Sequence, residues 1–341
     1  MRIEPCNDTN YIYRAGIRGD INDYSGAIED YTEAIRCNPK SFQAYFGRGV
    51  AHYLRNDKLS ALNDYSQAIQ LNPKYTPAYH NRGAIHSENG DYDAAIADYT
   101  KSIRFKSTAN EALAYQNRGN AYLEKGDFDS AIADYTHAAR ILPQSSAEAY
   151  ANRGDAYKQK GDLDNAIADY TTAIRISSED FMAFNNRGIA YKQKGDLESA
   201  LADYTTALHL NPHLAVTYSN RGLTLNEMGE RDRGLVDLNR ALELDPNNAK
   251  FYSNRGIIRA DLGDIDGAIA DYETALQINP NYAPAYNNRG NARKDKGDLE
   301  SAFADFNESI RLNPKLANPY RGLGDVYYEW GKWHDALDNY Q

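Results

Sequence analysis

The feature that most constrains this chain is a recurrence. Arg-Gly pairs return at Gly49, Gly83, Gly119, Gly154, Gly188, Gly222, Gly256 and Gly290, and a Leu-Gly pair at Gly324 keeps the register. Most steps are 34 residues, as from 49 to 83 and from 188 to 222, with one of 36 from 83 to 119 and one of 35 from 119 to 154. A degenerate copy at Ala15 lies 34 residues before Gly49. A chain written this way folds as copies of one unit, so reading one unit reads most of the molecule.

The copy at residues 114–143 is representative. Tyr115, Gly119 and Tyr122 stand at i, i+4 and i+7, which puts a large, a small and a large side chain on one stripe of a first helix. Ala131, Ile132, Tyr135 and Ala138 make a comparable stripe on a second. Between them Gly126 can end one helix in the left-handed conformation and Asp127 can cap the next. Pro143 closes the unit, because proline disfavours helix for the residue before it. The result is an antiparallel helical hairpin that needs neighbours to bury both of its faces.

Tyr115, Gly119, Tyr122, Ala131, Tyr135 and Pro143 follow the pattern of the tetratricopeptide repeat family, and the sequence resembles that family from about Asp8 to Gln341. Arg118 stands where the family usually has Leu; only the last unit, at Leu323, has it. The resemblance implies an all-α fold, a right-handed superhelical α-solenoid of antiparallel helix pairs. Ten units are expected to start near residues 8, 42, 76, 112, 147, 181, 215, 249, 283 and 317, after a tail of residues 1–7, with the last unit incomplete.

Departures from the repeat carry expectations of their own. The first unit has Ala15 for Gly and Asn22 at the turn, as a terminal cap would. In the second unit Phe46, Val50 and Tyr53 are apolar on the face of the first helix away from the Tyr45/Gly49 stripe. They either pack on the neighbouring unit or form a partner pocket. The linkers at residues 105–111 and 142–147 are longer than the rest and leave room for a bend. Gly234 replaces Ala and Leu238 replaces Tyr; glycine costs about 1 kcal/mol in a helix, which predicts a soft unit with weak hydrogen-exchange protection over residues 225–244.

An Arg and an Asp vary together along the chain, from Arg14/Asp30 through Arg187/Asp203 to Arg289/Asp305, and both are replaced in the last unit, by Leu323 and Asn339. Joint loss predicts a bidentate pair across the hairpin. An Arg so paired is not available to a ligand.

The residue before that Arg is Asn in seven successive units: Asn81, Asn117, Asn152, Asn186, Asn220, Asn254 and Asn288. Each follows the seam aromatic by two residues, about 200° round the helix, and so points away from the hairpin's own core. An amide offers donors and an acceptor that suit an extended peptide backbone whatever its side chains. The row resembles the asparagine ladder of the O-linked N-acetylglucosamine transferase repeats, which holds peptide backbones; the alternative is that each Asn pairs with the adjacent unit. Tyr13, Gly47 and Gly322 interrupt it, so the ladder would occupy the middle of a concave groove. Phe46, Tyr53, Asn185, Lys192, Ser253 and Asn287 would vary the groove's specificity.

Composition excludes other classes. Of 28 tyrosines, nine fall in the series Tyr11 to Tyr320 and eight in the series Tyr31 to Tyr340, so the aromatics are mostly core. A net charge of −10 argues against phosphate-backbone binding. The seven His include no HExxH, and no catalytic triad, phosphate-cradling loop, metal site or cofactor site is expected. The family's carboxylate clamp for chaperone tails needs more basic neighbours than Lys158, Lys192, Lys250, Lys294 and Arg321 supply. No apolar run resembles a signal peptide or membrane span, which predicts a cytoplasmic protein. The expected function is a non-catalytic scaffold binding an extended protein segment in its groove. The alternatives are the substrate-docking arm of a larger enzyme whose catalytic domain lies beyond Gln341, and a unit that self-associates through its uncapped C-terminal end.

Overall fold

The computed structural model describes residues 7–105, 111–141 and 146–340, and these are all-α. They form two compact units, residues 1–177 and 178–341. The first contains the helix pairs α1 (Asp8–Asp20) and α2 (Tyr24–Cys37), α3 (Phe42–Leu54) and α4 (Lys58–Leu71), α5 (Thr76–Glu88) and α6 (Tyr92–Arg104), α7 (Glu111–Glu124) and α8 (Phe128–Ile141), and α9 (Ala147–Lys160) and α10 (Leu163–Ile176). The second contains α11 (Phe181–Lys194) and α12 (Leu197–Leu210), α13 (Ala215–Glu227) and α14 (Arg231–Leu244), α15 (Ala249–Asp261) and α16 (Ile265–Ile278), α17 (Ala283–Asp295) and α18 (Leu299–Leu312), and α19 (Ala317–Glu329) and α20 (Trp333–Tyr340). The expected tail, apart from Asn7, lies outside the described residues, as do most of both longer linkers, at 106–110 and 142–145, and the stop at Pro143.

Each hairpin forms for local reasons. The cap aspartates Asp23, Asp57, Asp91, Asp127, Asp162, Asp196, Asp264 and Asp298 accept from the backbone N–H three residues on, at 3.0 to 3.2 Å. The turn before the cap is left-handed, with φ of 76° at Gly126 and 63° at Asn22, where asparagine tolerates what most side chains do not.

The seam is a ring set against a glycine. A Cβ on Gly49, Gly83, Gly119, Gly154, Gly188, Gly256 or Gly290 would lie 2.6 to 3.1 Å from the aromatic ring of its own second helix. Tyr65, Tyr135, Tyr170 and Tyr204 are almost wholly buried there. Gly222 meets Leu238 instead, and Gly234 allows a closer approach: its Cβ would stand 2.6 Å from the Gly222 carbonyl oxygen. That unit is a tight helix crossing as well as a place of low helix propensity.

Within each compact unit the pairs stack in sequence, and first helices also touch one another, as α5 touches α7, α7 touches α9 and α13 touches α15. First helices therefore share a face. Each unit is a stretch of α-solenoid.

Candidate functional site

The charges of the repeat are internal. All nine Arg–Asp pairs form, with Nε donating to one carboxylate oxygen and Nη2 to the other. For Arg48 through Arg289 the distances are 2.6 to 2.9 Å. Each guanidinium also lies over the aromatic ring three residues before it, at 5.2 to 5.8 Å. Within each compact unit the remaining Nη1 of several reaches the previous pair: Arg82 donates to Ser66 at 3.0 Å, and Arg118 and Arg153 to Thr100 and Thr136 at 2.8 Å. This tie between successive helix pairs escaped the sequence reading, although a hydroxyl after the second-helix Tyr marks it. In the last pair Leu323 is buried against Phe306 and Val326.

The asparagines sit on first helices, half-buried except for Asn254, which is buried. Six of the seven amide nitrogens turn back to earlier residues of the same compact unit. Asn81 Nδ2 reaches Tyr65 Oη at 3.4 Å, Asn117 reaches His80 Nε2 at 3.4 Å, and Asn152 reaches Asn120 Oδ1 at 3.3 Å. In the second unit Asn220 donates to Asn185 at 3.4 Å, Asn254 to Ser219 at 2.9 Å and Asn288 to Ser253 at 3.4 Å. Asn186 Oδ1 accepts from Asn185, and Asn288 Oδ1 from Asn287. Six of these side chains thus pair within the stack through nitrogen, and the oxygens of Asn186 and Asn288 are taken as well.

Two of the three interruptions, Gly47 and Gly322, have a steric cause. A Cβ at Gly47 would lie 2.3 Å from the Tyr31 ring, and one at Gly322 would lie 2.5 Å from the Phe306 ring. Where the second-helix ring leans this far, asparagine does not fit.

Phe46 and Tyr53 are half-buried and, with Val50, pack on the core of Ala61, Tyr65 and Ile85. Phe46 meets Tyr75 edge-on at 5.1 Å, and Tyr53 donates to Glu88 at 2.5 Å. Packing on the neighbour thus accounts for much of this cluster. Of the expected specificity residues, Asn185, Ser253 and Asn287 are buried, and Lys192 pairs with Glu227 at 2.9 Å. Open space lies beside the row: a cavity of about 250 Å³ is lined by Ala84, Ser87, Glu88, Tyr99, Asn117 and Asn120.

Stacked helix pairs, seam glycines under aromatic rings and a polar row on the first helices define a helical repeat protein. Profiles described as TPR repeat match residues 20–55, 154–195, 258–295 and 290–331. Others described as tetratricopeptide repeat match residues 75–144, 181–214, 215–248 and 238–270. The chain belongs to the tetratricopeptide repeat family.

No curated protein matches it. A solved tetratricopeptide repeat protein from Parabacteroides merdae ATCC 43184 is similar, with 19% identity and a TM-score of 0.63 over 74% of this chain and 98% of that one. PilW, a widely conserved type IV pilus biogenesis factor, is similar with 20% identity and a TM-score of 0.53 over 57% and 90%. Both likenesses are of fold. YrrB, a TPR protein with an unusual peptide-binding site, has 23% identity and a TM-score of 0.43 over 54% and 95%.

Proposed function

We propose that the chain is a non-catalytic protein-interaction scaffold, and that the first-helix face of each compact unit captures an extended segment of a partner protein. The observation that carries this is the asparagine row. Asn81, Asn117 and Asn152 in one unit and Asn220 in the other have their nitrogens engaged within the stack, and among the described residues no donor meets their Oδ1. A repeated, fixed acceptor suits the N–H groups of an extended backbone. Selectivity among partners then comes from the side chains between the asparagines. The net charge of −10 opposes nucleic acid as the partner, and among the described residues no helix is long and apolar enough to cross a membrane.

The test separates backbone from side-chain recognition. Peptides selected on an array of short extended sequences are measured by fluorescence anisotropy, unmodified and with alternate backbone N–H groups methylated. Each lost hydrogen bond is worth about 0.5 to 1.5 kcal/mol, so methylation is expected to weaken binding by about tenfold. Asn117→Ala with Asn152→Ala is expected to weaken only the unmethylated peptide. Equal affinity for both peptides contradicts the reading.

A further inference from the structure

At the start of the first compact unit, α1, α2 and α3 surround an open, mainly apolar cavity of about 380 Å³. From α3 come Phe46, Val50 and Leu54; from α1 come Gly16, Gly19 and Asp20. The two glycines lie inside a helix, where glycine is a poor former. A Cβ built on either meets nothing within 4 Å, so packing does not require glycine at these places. In the next unit the same register holds Val50 and Tyr53, in the third the smaller Ala84 and Ser87, and in the fourth Asn120 and Leu123. The cavity exists because α1 lacks those side chains. Gly47 is different, since the Tyr31 ring excludes a side chain there.

The lining also states what it would accept. Cavities of about 300 Å³ and more, apolar with a few polar groups, take ligand side chains and small ligands. Asp20, exposed at the end of α1, is the only charged residue that lines this one. Glu88 and Glu124 stand at the same register further along the unit, and the whole chain carries −10.

We propose that this cavity is the anchor site for one apolar side chain, leucine- to phenylalanine-sized, of the captured segment, with a lysine or arginine beside it facing Asp20. The proposal rests on the peptide-capture reading and adds the class of partner: a basic segment with an apolar anchor. An extended chain leaving the cavity along the first helices passes Glu88, whose carboxylate is held by Lys58 and Tyr53, and then the exposed carboxylate of Glu124, which favours positive charge.

The probe is a fluorescein-labelled peptide of glycine and lysine with one central phenylalanine, compared by anisotropy with versions carrying Ala for Phe or Glu for Lys. The intact chain is expected to bind the Phe/Lys peptide about tenfold more tightly than either. Gly16→Leu with Gly19→Leu fills the cavity from a helix that has room for both, so folding is retained, as circular dichroism will confirm. This variant is expected to bind the Phe and Ala peptides alike. Asp20→Lys, at a helix C-terminus that tolerates a cation, is expected to lose the preference for Lys over Glu. A Phe preference that survives the filled cavity, or no binding of any probe at about 1 mM, overturns the assignment. Backbone capture is judged apart from it, by the methylated peptides. Concentration-dependent mass that the filled cavity abolishes makes a second copy the occupant and also overturns the proposal.

Discussion

The guanidinium of Arg187 donates through Nε and Nη2 to Asp203, each at 2.7 Å, and lies 5.6 Å from the Phe184 ring. Removing one partner of such a buried pair strands the other, at a cost of about 3 to 5 kcal/mol. Arg187→Leu is therefore expected to destabilise more than Arg187→Leu with Asp203→Asn, the combination that the last unit adopts at Leu323 and Asn339. Equal losses in chemical denaturation would count against the pair. Glycines at this scale divide by what surrounds them. Gly234→Ala places a Cβ 2.6 Å from the Gly222 carbonyl oxygen; overpacking costs about 1 to 3 kcal/mol, more than the gain of about 1 kcal/mol in helix propensity. Gly16→Ala meets no such contact and is expected to raise the melting temperature where Gly234→Ala lowers it; the reverse order in thermal melts contradicts this. The pairing of Arg with Asp was legible in the sequence because both are lost together. The close approach at Gly234 was not, because propensity is a property of one residue and room for a Cβ is a property of its neighbours.

Among elements, the second helices set the response to pH. Burial pushes the Tyr65 and Tyr99 phenols up to about 12, and those of Tyr135, Tyr170, Tyr204 and Tyr272 higher still. The folded values lie above the ordinary value of about 10, so their contribution is complete below that pH and is lost as pH rises through the folded values. Tyrosinate absorbance and loss of helical circular dichroism are expected to rise together in strong base. Ionisation of all 28 tyrosines, the six of the seam included, with the helices intact would contradict the buried seam. Acid acts on other groups. The hydrogen bond from Arg14 holds Asp30 low, and Asp57, Asp162, Asp196 and Asp298 are held low chiefly by the side chains and then the backbone of Ser60, Asn165, Ser199 and Ser301. Their folded values lie below the ordinary value of about 3.9, so what they contribute is present above it and fades as pH falls further. The Tyr/Gly stripe and the cap aspartates could be read from spacing alone. The link from Arg118 to Thr100 could not, since it depends on how one pair stacks on the next.

At the scale of the molecule, a repeat chain has little chemistry outside its shared face, because its charges pair internally and its aromatics are core. The position of the asparagines on the first helices was legible from a two-residue offset within the repeat. The direction of each amide was not: its nitrogen is claimed by residues 16 to 37 positions earlier, and only stacked neighbours reveal that. Nor did the sequence reading separate the Phe46 cluster into a packed part around Tyr53 and an open part beside Gly16 and Gly19. The central claim is that carbonyl oxygens on the first helices hold a partner's backbone. It is tested most directly by the crystal structure of the chain with the tightest peptide from the array. The predicted result is an extended peptide lying across α5, α7 and α9, with its N–H groups donating to the Oδ1 atoms of Asn117 and Asn152. A peptide seated on the second helices, or held by side chains alone with those oxygens untouched, would contradict it.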